Sequence, residues 1–172
     1  MLPTIQTICY ATNLGPESPY VFRYALSLAK QHQAKIHIYH ALEPLSDTAK
    51  GLTEFFLPQE ELEKRREEAR QQLIEKLKKR LSAFCEKESC KLDANIPDAV
   101  ADVQVIEGRP AETILAKAKE IGADLIILGT HRKLREGGTR LLGSTARQVV
   151  NDSKIPVMTI YTPQDQLEDI PS

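Results

Sequence analysis

The sequence predicts an open α/β fold, a doubly wound five-stranded parallel sheet with helices on both faces. Three observations carry this. Short apolar runs alternate with amphipathic helical stretches along the chain, the order that a parallel sheet needs. The run Leu125–Leu128, bounded by Gly129, has the length and flanks of a strand buried on both faces. Ile5–Thr12, the helical stretch ending near Gln31 and Lys35–Ala41 are spaced as strand, helix and strand, a right-handed βαβ unit.

Taken in order, IQTICYAT (Ile5–Thr12) is rich in β-branched and aromatic residues and suits a first strand. Asn13, Leu14, Gly15 and Pro16 make a turn. Ser18 is placed as an N-cap with Pro19 at the first helical position. Val21, Ala25 and Leu28, alternating with Phe22, Leu26 and Ala29, form the buried stripe of that helix. In KIHIYHA, Ile36 and Ile38 point one way and His37 and Tyr39 the other. Glu43–Pro58 has no clean period and reads as a loop or lid.

A long helix is expected over Gln59–Glu86, acidic at its start and basic at its end, as the helix dipole favours. Its expected buried stripe is Leu62, Ala69, Leu73, Leu77, Leu81 and Phe84. Cys90–Ala99 is a polar connection, and VADVQVI (Val100–Ile106) alternates as a half-buried third strand. Pro110 opens a helix carrying Ile114, Leu115, Ala118 and Ile121, which Gly122 closes before the fourth strand. Ala146, Val149 and Val150 share a face of the last helix, and Ile155–Tyr161 is the fifth strand.

The 172 residues suit one domain, 1–162, followed by a flexible tail, 163–172. With 23 basic and 24 acidic side chains, the overall charge favours neither nucleic acid nor anionic lipid as a partner. The opening MLPTIQTICYATN lacks the basic cluster and apolar core of a signal peptide. No apolar run approaches the roughly 20 residues of a membrane span, so no membrane insertion is expected. Three cysteines, Cys9, Cys85 and Cys90, form no CxxC pair, and a cytoplasmic location fits them.

The chemistry concentrates between Ala123 and Val150. A strand, a glycine-punctuated loop and a helix start follow one another, an arrangement in which free helix amides point at an anion. From Gly129 to Arg147 the loop carries Arg132, Lys133, Arg135, Arg140 and Arg147 against Glu136, a cationic island that suits a phosphate. Ligands of such sheets bind beyond the carboxyl ends of the strands, where strand order reverses. The candidate site is therefore Ala11, Thr12 and Asn13 after strand one, Ala41 after strand two, and Gly129, Thr130, His131 and Arg132 after strand four. Gly143, Ser144 and Thr145 complete it at the last helix start.

Neither GxxxxGK[ST], GxGxxG nor GxSxG occurs, and no acid–base pair stands out, which disfavours enzymatic chemistry. His37 and His40 face opposite sides of their strand, so a shared metal is not expected. His131 either touches a ligand or binds water.

ICYATNLGPES, ALSLAKQHQAKIHIYHALEP, EGRPAETILAKAKEIGADLIILGTH and GSTARQVVNDSKIPVMTI together resemble the universal stress protein family, from Ile5 to Tyr161. The resemblance implies an adenine-nucleotide α-hydrolase-like sheet of strand order 3-2-1-4-5. It also implies a homodimer paired through the fifth strand, Pro156 to Tyr161. Some members bind ATP or related adenine nucleotides, with Mg²⁺, through a G-x2-G-x9-G-[ST] pattern. Gly129, Gly143 and Ser144 match that pattern here. Arg132 stands in place of its second glycine, and the loop to Gly143 is one residue longer.

Asn13 replaces the acidic residue near the ribose, and Ala41 stands at the small apolar position beside the adenine. Asn13 either holds the ribose through its oxygen or caps the turn. Arg132 either contacts phosphate or fills its space.

Three functions follow. The first is a dimeric regulatory stress-response protein that binds an adenine nucleotide and changes the state of an unidentified partner protein. The second is a protein-interaction module of the same fold without a nucleotide. The third, from the enzyme class, is a slow ATPase.

Overall fold

The computed structural model describes residues 2–43, 59–92, 99–130, 133–134 and 140–167. Five parallel strands form the sheet: β1 (Thr7–Ala11), β2 (Lys35–Leu42), β3 (Val100–Glu107), β4 (Leu125–Thr130) and β7 (Val157–Tyr161), in the order β3-β2-β1-β4-β7. Counted along the main sheet, this is the expected 3-2-1-4-5. Four helices are described, α1 (Ser18–His32), α2 (Gln59–Leu92), α3 (Pro110–Glu120) and α4 (Ser144–Asp152). A two-residue antiparallel ribbon, β5 (Lys133–Leu134) with β6 (Arg140–Leu141), interrupts the basic loop. Strands this short carry no alternation that a sequence could reveal.

Apolar side chains of the central strands alternate between two cores. Ile8, Ile36, Ile38 and Ile127 meet α1 and α2 on one face; Cys9, Tyr39, Ile126 and Leu128 meet α3 and α4 on the other. On the first face Tyr10 stacks on Phe22 with centroids 5.5 Å apart, and Phe22 meets Phe84 at 5.3 Å. Asp124 sets the start of β4 against β1: its Oδ2 accepts the backbone N–H of Gln6 at 2.8 Å and of Thr7 at 2.9 Å. Gly122, at φ +62°, follows α3 as expected.

Several expectations are corrected. Ser18 is the first residue of α1, not its cap. The cap position is Glu17, which makes no side-chain capping bond, and the Ser18 hydroxyl instead shares a hydrogen bond with that of Thr12 at 2.9 Å. The long helix runs six residues past Glu86 to Leu92 and takes Cys90 into it. Its inward face is also rotated. Ala69 and Leu73 are exposed, whereas Arg70, Ile74 and Leu77 are partly covered and Phe84 is buried.

The helix is also longer than the strand beside it. A 34-residue helix is about 51 Å long and the eight-residue β3 about 26 Å, so part of the stripe has no sheet beneath it. The side chains of Leu62, Leu81, Cys85 and Cys90 lie outside the described residues, as do residues 44–58 of the expected loop. On α4, Ala146 and Val149 are buried but Val150 faces solvent. The last strand begins at Val157, because Ser153 folds Ile155 into a turn through bonds to its carbonyl (2.6 Å) and its N–H (3.0 Å). After it, Thr162 is buried and Gln164–Gln166 form a 3-10 turn; residues 168–172 lie outside the description.

Candidate functional site

β1 has β2 on one side and β4 on the other, so the strand order reverses there and the helices on either side diverge. A cleft of about 550 Å³ opens at this point, at the carboxyl ends of the strands. Ala11, Thr12 and Asn13 reach it from β1 and Ala41 from β2. Gly129 and Thr130 reach it from β4, and Gly143, Ser144 and Thr145 from the start of α4. His131 and Arg132 lie outside the described residues.

The cleft also takes in residues that the sequence reading did not choose. Pro110, Ile114 and Leu142 add apolar wall, while Glu17 and His40 add polar groups. Their positions depend on which helix covers which strand, and no local motif marks them. The one sequence signal for Glu17 was an acidic side chain directly before a helix start.

The loop from Thr12 to Ser18 satisfies itself. Thr12 Oγ1 accepts the N–H of Leu14 at 3.1 Å, which holds Leu14 at φ +56° with its side chain in the core. The Gly15 N–H donates to Asn13 Oδ1 at 2.8 Å, and Asn13 Nδ2 donates to Glu17 Oε1 at 2.7 Å. Of the two readings of Asn13, its oxygen caps the turn. The Ser18 N–H donates to the Gly15 carbonyl at 3.0 Å, and Pro19 has no N–H. The first two positions of α1 therefore leave no N–H to spare.

His40 Nδ1 lies 2.9 Å from the Thr12 carbonyl oxygen. A carbonyl only accepts, so Nδ1 is the donor in this contact. Gly129 is a glycine for packing: a Cβ there would stand 3.0 Å from Val21 Cγ2 and 3.3 Å from Glu17 Cγ. It lets α1 approach β4.

The start of α4 is different. Its cap, Gly143, offers no side chain, and its first internal bond runs from the Arg147 N–H to the Gly143 carbonyl at 2.9 Å. The amides of Ser144, Thr145 and Ala146 precede that bond and form the usual anion-facing end of a helix. Thr130 is buried in the cleft wall, and its Oγ1 has no hydrogen-bond partner among the described residues.

Nucleophilic chemistry has little support here. Burial pushes the Cys9 thiol up to about 12. Burial, then the charge of Asp102, raises the Tyr39 phenol to about 12 as well. Both stay protonated at neutral pH. Among the described residues no three His, Cys, Asp or Glu side chains come together as a metal site, and no helix is long and apolar enough to cross a membrane.

The sequence profile of the universal stress protein family matches residues 4–160. The chain belongs to the universal stress protein family. A universal stress protein of Thermus aquaticus is 34% identical over 132 residues, covering 77% of this chain and 81% of the relative. Universal stress protein A homolog 2 of Coxiella burnetii is 31% identical, covering 89% and 92%. Among solved structures, a universal stress protein in complex with cAMP superimposes with a TM-score of 0.57 at 19% identity, covering 94% of this chain and all of its own. A universal stress protein from Archaeoglobus fulgidus gives 0.56 at 19% identity, covering 91% and 93%. These likenesses carry the universal stress protein fold to nearly the whole chain.

Proposed function

We propose that this universal stress protein is a cytoplasmic regulatory protein that binds an adenine nucleotide, ATP with Mg²⁺, in the cleft between β1 and β4. The base lies against Ala41, Pro110 and Ile114, and the phosphates lie at Gly143, Ser144 and Thr145. The observation that carries this reading is the Thr130 hydroxyl, buried without a partner among the described residues, in a cleft that also receives the uncommitted amides of α4. A buried hydroxyl left unpaired costs about 1–3 kcal/mol, which a polar ligand removes. A family member captured with cAMP supports the adenine class.

The protein acts as a homodimer paired through Pro156–Tyr161. The support is that β7 is an edge strand, so one side of its backbone has no neighbour in the sheet among the described residues. Equilibrium sedimentation tests the pairing.

Dialysed protein should release adenine nucleotide on denaturation or show a raised melting temperature with ATP and Mg²⁺. If it does neither, the nucleotide reading fails. Phosphate release in the same samples tests slow hydrolysis. Arg132→Gly separates the two roles of that side chain: weaker ATP binding identifies a phosphate contact, tighter binding identifies occlusion.

The second reading, an interaction module without nucleotide, draws on α2. Arg70 meets Glu107, the last residue of β3, at 2.6 Å. The eleven helical residues before Arg70 therefore extend about 16 Å past the end of the strand, and the described side chains among them are exposed.

A further inference from the structure

We propose that Asp102 guards the β3 edge of the sheet, keeping a second copy of this chain from adding a strand there, so that assembly stops at the pair joined through β7. The proposal rests on the homodimer reading above and deepens it. Among the described residues the sheet ends in β3 on one side and β7 on the other. A pair joined through β7 therefore carries a β3 edge at each end of its sheet. Were those edges open, pairs would add to pairs in a row that never closes.

The ladder fixes which backbone groups face outward. The Gly108 N–H donates to the Leu42 carbonyl at 3.0 Å, and Leu42 stands opposite Glu107. Residues of a parallel strand turn alternately to one neighbour and to the other. Val103, Val105 and Glu107 therefore direct their N–H and C=O groups away from β2. On β7 the Pro156 carbonyl accepts the Ile126 N–H at 2.9 Å, and Ile126 stands opposite Val157. By the same count Val157 and Thr159 face outward there.

The two edges differ at those groups. On β3, Asp102 Oδ1 accepts the Val103 N–H at 2.8 Å, while Oδ2 accepts from Gln104 Nε2 at 2.5 Å. The carboxylate thus stands where an incoming strand would present its carbonyl, and Gln104 braces it. Displacing it breaks a charge-assisted hydrogen bond, and leaving it in place buries a charge against the new strand. On β7, no side chain among the described residues bonds the outward groups of Val157 or Thr159.

Amide exchange and sedimentation velocity test this. A hydrogen bond to a charged acceptor corresponds to roughly 10–100-fold, so the wild-type Val103 amide should exchange that much more slowly than that of Val105, after correction for intrinsic rates. Asp102→Ala should lose this protection when dilute. As concentration rises it should form species larger than wild type, with the Val103 amide protected again. Asp102→Asn keeps an oxygen for the Val103 N–H and should stay at the wild-type size. The inference is overturned if the two wild-type amides exchange alike, a result that needs no variant to fold. It is also overturned if folded Asp102→Ala keeps the wild-type size at every concentration, or if Asp102→Asn grows as the alanine variant does. The homodimer reading fails separately. Thr159→Pro removes an outward N–H from β7 and spares the ladder to β4, so it should turn a wild-type dimer into monomers. A wild type that is already monomeric overturns the dimer reading, while the guard at β3 still stands or falls on the exchange and growth results.

Discussion

Phe84 is the one residue that the described part of α2 buries completely, at 1% exposed, with its ring 5.3 Å from that of Phe22. Phe84→Ala removes the ring from a site closed by Phe22, which itself stacks on Tyr10 and cannot follow into the gap without losing that contact. Buried phenylalanine-to-alanine changes cost about 3–5 kcal/mol through lost transfer energy and the cavity left behind. For a chain of this size that lowers the melting temperature by about 6–20 °C. Urea unfolding followed by far-UV circular dichroism measures the loss, and amide exchange locates it, with α2 opening before the strands. A loss below about 1 kcal/mol with unchanged exchange in α2 refutes the idea that this ring anchors the helix, since a peripheral side chain costs no more.

Three further outcomes follow from single contacts. Gly129→Ala brings its Cβ to 3.0 Å from Val21 Cγ2 and should cost about 1–3 kcal/mol; adding Val21→Ala should make the two losses clearly non-additive in a denaturant-based double-mutant cycle. Asp124→Ala leaves the N–H groups of Gln6 and Thr7 without their acceptor and should cost about 1–3 kcal/mol by the same assay, whereas Asp124→Asn, which keeps one oxygen, should lose less. The hydrogen bond from Arg70, then that from Gln71, holds the Glu67 carboxyl down near 2, against 4.5 for the free group. A depressed folded-state pKa contributes stability above about pH 4.5 and loses it as pH falls towards 2, so the stability difference between wild type and Glu67→Gln should shrink across that window in denaturant titrations. Because the group is fully exposed, the difference should also weaken in high salt.

The fold was legible because each central strand is buried on both faces. Leu125–Leu128 has to be continuously apolar, and a continuous apolar run next to a glycine is visible in one dimension. Pro110 and Gly122 marked the ends of α3 for the same local reason. The face of α2 was not legible. Its surface is charged nearly all round, so leucine spacing alone does not fix which face turns inward: Leu73 fits the apolar stripe yet is exposed, while Arg70 and Ile74 on either side of it are partly covered. Ser18 looked like a cap by residue type, but its hydroxyl had a better partner in Thr12, six residues back. The burial of Glu17 was not legible, because it requires room at Gly15 and Gly129, and only the folded chain brings those together.

The cleft receives two helix N-termini, and their difference is what gives it a direction. At α1, Ser18 donates to Gly15, Pro19 has no hydrogen to give, and the carboxyl side chain of Glu17 stands at the cap position. At α4 the cap is a glycine, the first-turn side chains include no acid, and the nearby Thr130 hydroxyl is unpaired among the described residues. Both helices carry the same partial positive charge at their starts, so the dipole alone cannot choose between them. The choice is made by what the chain has already placed at each end. On the function proposed above, the phosphates of the nucleotide would therefore lie at the α4 end, where the first-turn amides and the Thr130 hydroxyl remain to receive them.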